Sequence, residues 1–431
     1  MMELEIDGVS HDGRGVARHE GKAVFVIGAL PGERVTAKLT RKHRRYDEAI
    51  LSEVLLASPD RVAAPCPHFG TCGGCALQHL SADAQLTMKA GTLKENLERI
   101  GHVSPKRWLA PLHGPSVGYR RKARLSVRHV LKKDRVLVGF REGDGRYVAD
   151  LNQCHVLVPQ VGFKLDALGA LLNALDAKSD IPQVEVAAGD NAVVLVFRHY
   201  KELSASDRER LLAFGQTHGF SIYVQPGGDD TIVPLNGEAV VLETLLGDGD
   251  LKLEFLPTDF VQINQGLNAR MIAQALELLA LKPDESALDL FCGLGNFSLP
   301  MAKRCAQVIG VEGDLRLVER ARSNASLNGV ANARFFAADL SLPLDQEPWF
   351  DPSFKKALID PPRSGAESVC RRLNTSQVNH LVYVSCHPAS LARDASILVN
   401  EGKFKLAAAG VMDMFPHTGH VESIALFQRA E

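Results

Sequence analysis

The chain has no apolar run approaching the roughly 20 residues that a membrane-spanning helix needs. It has no excess of either charge: 49 Lys and Arg stand against 51 Asp and Glu, a formal net charge of −2. Global charge therefore does not advertise a nucleic-acid binder, and any such role must rest on local clusters. The N-terminus, MMELEIDGVSHDG, lacks the basic start and apolar core of a secretory leader. No internal repeat or low-complexity tract interrupts the 431 residues. The expectation is a cytoplasmic protein without a membrane partner. Thiols stay reduced there, so the eight cysteines read as metal ligands, catalytic groups or packing, not disulfides. Apolar residues make up 45% and charged residues 23%, so composition is ordinary and the length suits roughly two or three domains.

Residues 1–58 read as all-β. EIDGVS, KAVFVIG, RVTAKLT and AILSEVLL alternate apolar and polar residues between Gly- and Asp-containing turns. So many short strands in so short a stretch predict a small OB-like β-barrel. Lys38, Arg41, Lys42, Arg44 and Arg45 cluster beside Tyr46, which suits phosphate contact and base stacking. The plainer reading is a hairpin edge kept basic against aggregation. Residues 59–257 begin on a linker, ASPDRVAAP, and the cysteine group PCPHFGTCGGC. Helical periodicity over Ser81–Ile100 follows, with Ser81 as cap. Next come strands within 118–158, a helix near 161–176, and strands near 183–198 and 221–225, a middle α+β region. It carries a second basic run of Arg120, Arg121, Lys122, Arg124, Arg128, Lys132 and Lys133. Residues 258–431 alternate strand and helix patterns, which predicts an α/β doubly wound, Rossmann-like sheet.

The sharpest local signal is SALDLFCGLGNFSLPMA. A short buried strand runs into a turn with Gly293 and Gly295, then into an apolar helix. Glycine there lets the backbone approach a ligand closely. The next strand, QVIGVE, ends in Glu312, placed to bind ribose hydroxyls, and ARFFAAD ends in Asp339, placed to accept from an adenine amino group. A nicotinamide site would continue as G-x-G-x-x-G to seat a pyrophosphate. Here the pattern is CGLGNFS, with Ser298 at the third small position. S-adenosylmethionine has no pyrophosphate and needs no such cradle.

Two further strand ends carry unusual residues: KALIDPPRSG stops at Asp360, and LVYVSCHPA at Cys386. Ligands of open α/β sheets bind at the carboxyl ends of the strands, so Asp360, Cys386, the glycine turn and Glu312 would share one cleft. A cysteine on a buried strand is more often inert packing, but Cys386 falls just past the strand, before Pro388. Beside a methyl donor, its thiolate can add to carbon 6 of uracil and make carbon 5 nucleophilic. A base must then take the proton from carbon 5. Glu422 is the first choice, with His417 and His420 competing. Asp360 would bond either the base edge or the cofactor. The Asp-Pro-Pro turn also resembles that of amino-group methyltransferases, which need an aromatic next, whereas Arg363 stands here.

Cys66, Cys72 and Cys75 read C-x5-C-x2-C and call for a fourth ligand, for which Cys154 in DLNQCHVLVP is available. Tetrahedral zinc and a four-iron cluster both accept four thiolates, and spacing leaves the choice open. Cys292, Cys305 and Cys370 read as packing residues.

At these motifs the chain resembles the RNA uracil-5 methyltransferases, within them the TRAM-domain, iron–sulfur branch that acts on a uridine of 23S ribosomal RNA. The resemblance spans the N-terminal barrel, the cysteine group, DFVQIN, DLFCGLGNF, DPPRSG, YVSCHPA and MFPHTGHVES. It implies a class I methyltransferase fold behind a TRAM barrel, Cys386 as nucleophile and Glu422 as base. It implies S-adenosylmethionine contacts from Gln262, Phe291, Asn296, Glu312, Asp339 and Asp360. It also implies a 4Fe-4S cluster on Cys66, Cys72, Cys75 and Cys154. His387 departs from the Asn that many relatives have after the nucleophile. A different class of function, an RNA-binding or redox-sensing protein on a degenerate methyltransferase, would be free to lose these residues. Oligomeric state is silent in the sequence, with a monomer as default.

Overall fold

A computed structural model describes residues 1–247, 249–342, 347, 349–350 and 353–429. The N-terminal sheet has six strands, in the order Met2–Glu5, Arg34–Lys42, Tyr46–Leu56, Lys22–Ile27, Gly15–His19 and Gly8–Val9. Alternation puts Leu4, Val24, Val26, Val35, Ala37 and Ala49 on one buried face. The two edges are bridged by neighbouring residues: Ile6 N–H donates to Glu33 O at 2.9 Å and Asp7 N–H to Val16 O at 2.8 Å. The stretch read as a linker is pinned to this sheet. Arg61 donates to both oxygens of the buried Glu33, at 2.5 and 2.8 Å, and to Gly28 O at 2.7 Å.

The middle sheet runs Val233–Pro234, Phe220–Gln225, Val193–Arg198, Gln183–Ala188, Lys122–Val130, Arg135–Gly139. Its parallel pair, Val193–Arg198 and Phe220–Gln225, is joined through the helix Ala205–His218. Part of the second basic run is already paired within the protein. Arg120 lies over the Phe140 ring, Arg121 pairs with Asp190, Lys122 donates to Asp259 O, and Arg124 pairs with Glu185. Arg128, Lys132 and Lys133 are exposed.

The third large sheet is the doubly wound one. Its order is Ala333–Ala337, Gln307–Glu312, Ser286–Leu290, Lys356–Ile359, His380–Ser385, Glu422–Arg429, Phe404–Met412 and Arg107–Trp108. The first five strands are parallel, and Glu422–Arg429 inserts antiparallel between its two neighbours. The order reverses at Ser286–Leu290, which opens a crevice above its carboxyl end. Gly310 is required here, because a Cβ would stand 2.6 Å from the Phe335 ring.

Residues 82–112 differ from the sequence grouping, which placed them with the middle region. The helix Ala82–Arg99, capped by Ser81 as expected, buries Leu93 and Leu97 with Leu391 and Phe404 against the doubly wound sheet. Arg107–Trp108 forms that sheet's outermost strand. An amphipathic helix reports that it has an apolar face, not which sheet will cover it. Among the described residues, no helix is long and apolar enough to cross a membrane.

Candidate active site and cysteine site

Every strand end named from the sequence converges on one cleft of about 920 Å³. Gln262, Phe291, Asn296, Glu312, Asp339, Asp360, Cys386 and Glu422 all line it. The glycine turn forms its floor. Phe291, Gly293 and Gly295 have φ of 65°, 54° and 95°, so the chain reverses sharply and Phe291 holds a backbone that costs a non-glycine about 1–3 kcal/mol. Glu312 closes the turn by accepting from Gly293 N–H at 3.1 Å and Gly313 N–H at 2.7 Å. Asn296 exchanges two hydrogen bonds with Asn268, at 2.8 and 3.0 Å, which fixes its amide toward the cleft. Exposed Asp339 accepts from Ser341, and this bond to the charged form holds its carboxyl low.

Several residues of this site escaped the sequence reading. Asn268 is one. Asp289 is another: it is fully buried under the turn, accepts from Ser298 Oγ at 2.5 Å, and burial pushes it up to about 7. Its signal, an acid inside an apolar strand, was present in ALDLF. Phe260 is 69% exposed at the rim of the cleft. Arg363, noted only as the residue that replaces an aromatic, lines the cleft and donates to the His420 ring at 3.2 Å.

The far wall is acidic and poorly hydrated. Burial, then the nearby Asp360, pushes the Glu422 carboxyl up to about 8. Burial, then Asp289, pushes Asp360 up to about 7. Burial, then Glu422 and Asp360, pushes the Cys386 thiol up to about 11, while Arg363 pulls it down. In the ligand-free cleft the thiol therefore keeps its proton at neutral pH. A cation seated there would favour the thiolate and both carboxylates. His420 lines the cleft, whereas His417 turns away, buried against Gln85.

The loop after Asp360 is fastened to the helix after Cys386. Ser390 Oγ donates to Arg363 O at 2.8 Å, Arg393 to Ser364 O at 2.9 Å, and Ala366 N–H to Asp394 at 2.7 Å. His387 caps that helix, its Nδ1 accepting from Ser390 N–H at 3.3 Å. The histidine thus does by its ring what asparagine does by its amide.

All eight cysteines are free thiols. Cys66, Cys72, Cys75 and Cys154 line one small cavity with Phe140, Leu151 and Val156. Burial pushes Cys72 up to about 11 and Cys75 to about 12, and the neighbouring thiols add to both. Gly74 N–H donates to Cys72 Sγ at 3.4 Å, and backbone groups of Val156 and Leu157 bond Cys154. Among the described residues, no group of three or more Cys, His, Asp or Glu stands close enough together to hold a metal ion. Cys292, Cys305 and Cys370 are buried, as packing residues should be.

The comparisons with known proteins agree with this geometry. Residues 82–430 match the family model described as tRNA (Uracil-5-)-methyltransferase, and residues 1–51 match the TRAM domain. A 23S rRNA (uracil(1939)-C(5))-methyltransferase of Stenotrophomonas maltophilia (strain K279a) is 58% identical, over 99% of this chain and 97% of its own. A protein of the same name from Xanthomonas campestris pv. campestris (strain 8004) is 55% identical over the same shares. A solved Pyrococcus abyssi tRNA (uracil-54, C5)-methyltransferase, in complex with S-adenosyl-L-homocysteine, shares the fold. Its TM-score is 0.74 at 24% identity, covering 99% of this chain and 100% of that one. With most of its length inside the family model and full-length relatives above half identity, the chain belongs to the RNA (uracil-5-)-methyltransferase family, behind an N-terminal TRAM domain.

Proposed function

We propose that this protein transfers a methyl group from S-adenosylmethionine to carbon 5 of a uridine in 23S ribosomal RNA, through a covalent adduct on Cys386. The carrying observation is that a thiol, two raised carboxyls and the glycine-turn acids line a single cleft. The RNA is the one named for the full-length relatives. Residues 1–58 would act as the RNA-binding barrel, 59–81 and 113–257 as the cysteine-bearing and central part, and 258–431 together with 82–112 as the methyltransferase part. The chain would work as a monomer in the cytoplasm.

Gln262, Phe291, Asn296, Glu312, Asp339 and Asp360 would hold the methyl donor, whose sulfonium supplies an electrophilic methyl when bound. Glu312 would take the ribose hydroxyls on lone pairs left free by Gly293 and Gly313. The target base must leave its stack to reach the cleft, which favours single-stranded RNA. Cys386, once deprotonated, adds its sulfur to carbon 6, and the displaced electron pair enriches carbon 5. Carbon 5 then takes the methyl group, and S-adenosylhomocysteine is released. Glu422 removes the proton left on carbon 5. That C–H pair re-forms the 5,6 double bond, the C–S bond breaks, and Cys386 leaves as thiolate.

Cys66, Cys72, Cys75 and Cys154 would hold a 4Fe-4S cluster. Four thiols lining one cavity, three half-buried and Cys154 buried, with N–H groups already facing sulfur, are the donor set such a cluster needs. Fully ligated, it would brace the fold and take no step in the reaction. Iron and acid-labile sulfide in equal amounts support this, whereas zinc alone refutes it.

The test of the reaction uses ribosomal RNA carrying 5-fluorouridine with S-adenosylmethionine on a denaturing gel. Fluorine cannot leave as a proton, so a slow covalent band is expected, absent in Cys386→Ala. Methyl transfer to unmodified RNA without that band would sink the adduct and favour an amino-group reaction.

A further inference from the structure

The helix Ala82–Arg99 buries one face, and that face reads Gln85, Lys89, Leu93, Leu97 at four-residue intervals. All four are at most 2% exposed. Leu93 and Leu97 belong to the catalytic core. Apolar residues at 85 and 89 would extend the same stripe, whereas a buried amide and ammonium bear a desolvation penalty unless fully partnered. Their partners lie in the hairpin loop between Phe404–Met412 and Glu422–Arg429. Lys89 Nζ donates to Asp413 Oδ1 at 2.5 Å and to Phe415 O at 3.0 Å. Gln85 Oε1 accepts from His417 N–H at 2.9 Å, and its Nε2 stands 3.4 Å from His417 Nδ1. The same Nε2 donates to Leu77 O at 3.0 Å and Leu80 O at 2.8 Å.

Other parts of the chain hold the loop from the same side. Ala76 and Leu77, directly after Cys75, both donate to His417 O, at 2.8 and 2.9 Å. Tyr119 donates to Pro416 O at 3.1 Å. His417 itself sits at φ 67°, a conformation that persists only where surroundings enforce it. The opposite side of the loop carries Phe415, His420 and then Glu422 into the cleft. Nothing in these polar contacts is needed merely to fill the core, since leucine would do that.

We infer that Gln85 and Lys89 are positioning residues, which act through the 413–420 loop to aim Glu422 at the proton on carbon 5. This rests on the proposed role of Glu422. It separates two halves of the reaction: adduct formation depends on Cys386, and release of the adduct depends on the aim of Glu422. A loop freed at residues 413 and 417 should leave the first half working and stall the second.

The experiment compares Gln85→Leu and the pair Lys89→Met with Asp413→Asn, which leaves no buried charge unmatched, with Glu422→Gln as reference. Each full-length protein is given S-adenosylmethionine and either unmodified or 5-fluorouridine RNA. The expected result is trapping on fluorinated RNA within twofold of wild type, turnover on unmodified RNA down at least tenfold, and a methylated covalent adduct accumulating on unmodified RNA. Unchanged turnover, or trapping that falls in step with turnover, would overturn the inference and leave the two residues as ordinary stability elements. If one variant does not fold, by its thermal transition, the other decides. If Glu422→Gln itself accumulates no adduct, the reading of Glu422 fails, which is distinguishable because that variant leaves the hydrogen bonds of Gln85 and Lys89 to the loop in place.

Discussion

Replacing Glu422 by glutamine should stabilise the ligand-free protein, and more so as pH rises. The carboxyl goes from its ordinary 4.5 to about 8 on folding, because burial and Asp360 disfavour its charge. Between those values the folded state holds a proton that the unfolded chain has released, so stability falls with rising pH. Each pH unit in that interval is worth about 1.4 kcal/mol. From about pH 5 to about pH 7.5 the wild type then loses about 3 kcal/mol at this site. Glutamine has no proton to lose, and Asp360 keeps its slope in both proteins, so the difference isolates Glu422. At about 2 °C per kcal/mol for a unit of this size, the gap between variant and wild-type thermal midpoints should widen by about 6 °C. Thermal melts at the two pH values, without ligand, measure it. A gap that stays constant would mean that Glu422 is already charged in the empty cleft, and the reasoning about its environment would be wrong.

Removing the His387 cap by alanine should cost about 1 kcal/mol, while asparagine should be neutral within about 0.5 kcal/mol, both read by thermal melts. Gly310→Ala would drive a Cβ to 2.6 Å from the Phe335 ring and 3.1 Å from Cys292 Sγ. It should destabilise by about 1–3 kcal/mol, detectable as a lower midpoint with S-adenosylmethionine affinity reduced in parallel. Lys38, Arg41, Lys42, Arg44 and Arg45 are all exposed on a hairpin of the N-terminal sheet. Changing Lys38, Arg41 and Lys42 to glutamine should weaken RNA binding and reduce the slope of log affinity against log salt by about 2. An unchanged slope would assign the run to edge protection alone.

What was legible in the sequence was what neighbouring residues decide. A glycine turn after a buried strand, acids at Glu312 and Asp339, and Cys386 one residue past its strand are local patterns, and the sheet delivers them to one cleft. The alternation of the N-terminal strands and the Ser81 cap were local too. Less legible was whatever depends on a partner far along the chain. Helical periodicity announced Ala82–Arg99 but not that it covers the doubly wound sheet. A basic run looked like a phosphate surface until Asp190, Glu185, Phe140 and Asp259 claimed four of its members. His417 and His420 were indistinguishable as strings, yet one faces Gln85 and the other the cleft.

The pairing of Lys89 with Asp413 spans 324 residues. A ribosome adding about 5–20 residues per second needs roughly 16–65 s to make the second partner after the first. For that time the helix has emerged with an ammonium on its apolar face and without the acid that pairs with it, while the Gln85 amide can already bond Leu77 and Leu80. Polar groups there make the face less apolar while the segment waits for its sheet. The ion pair can form only once the final hairpin has been made.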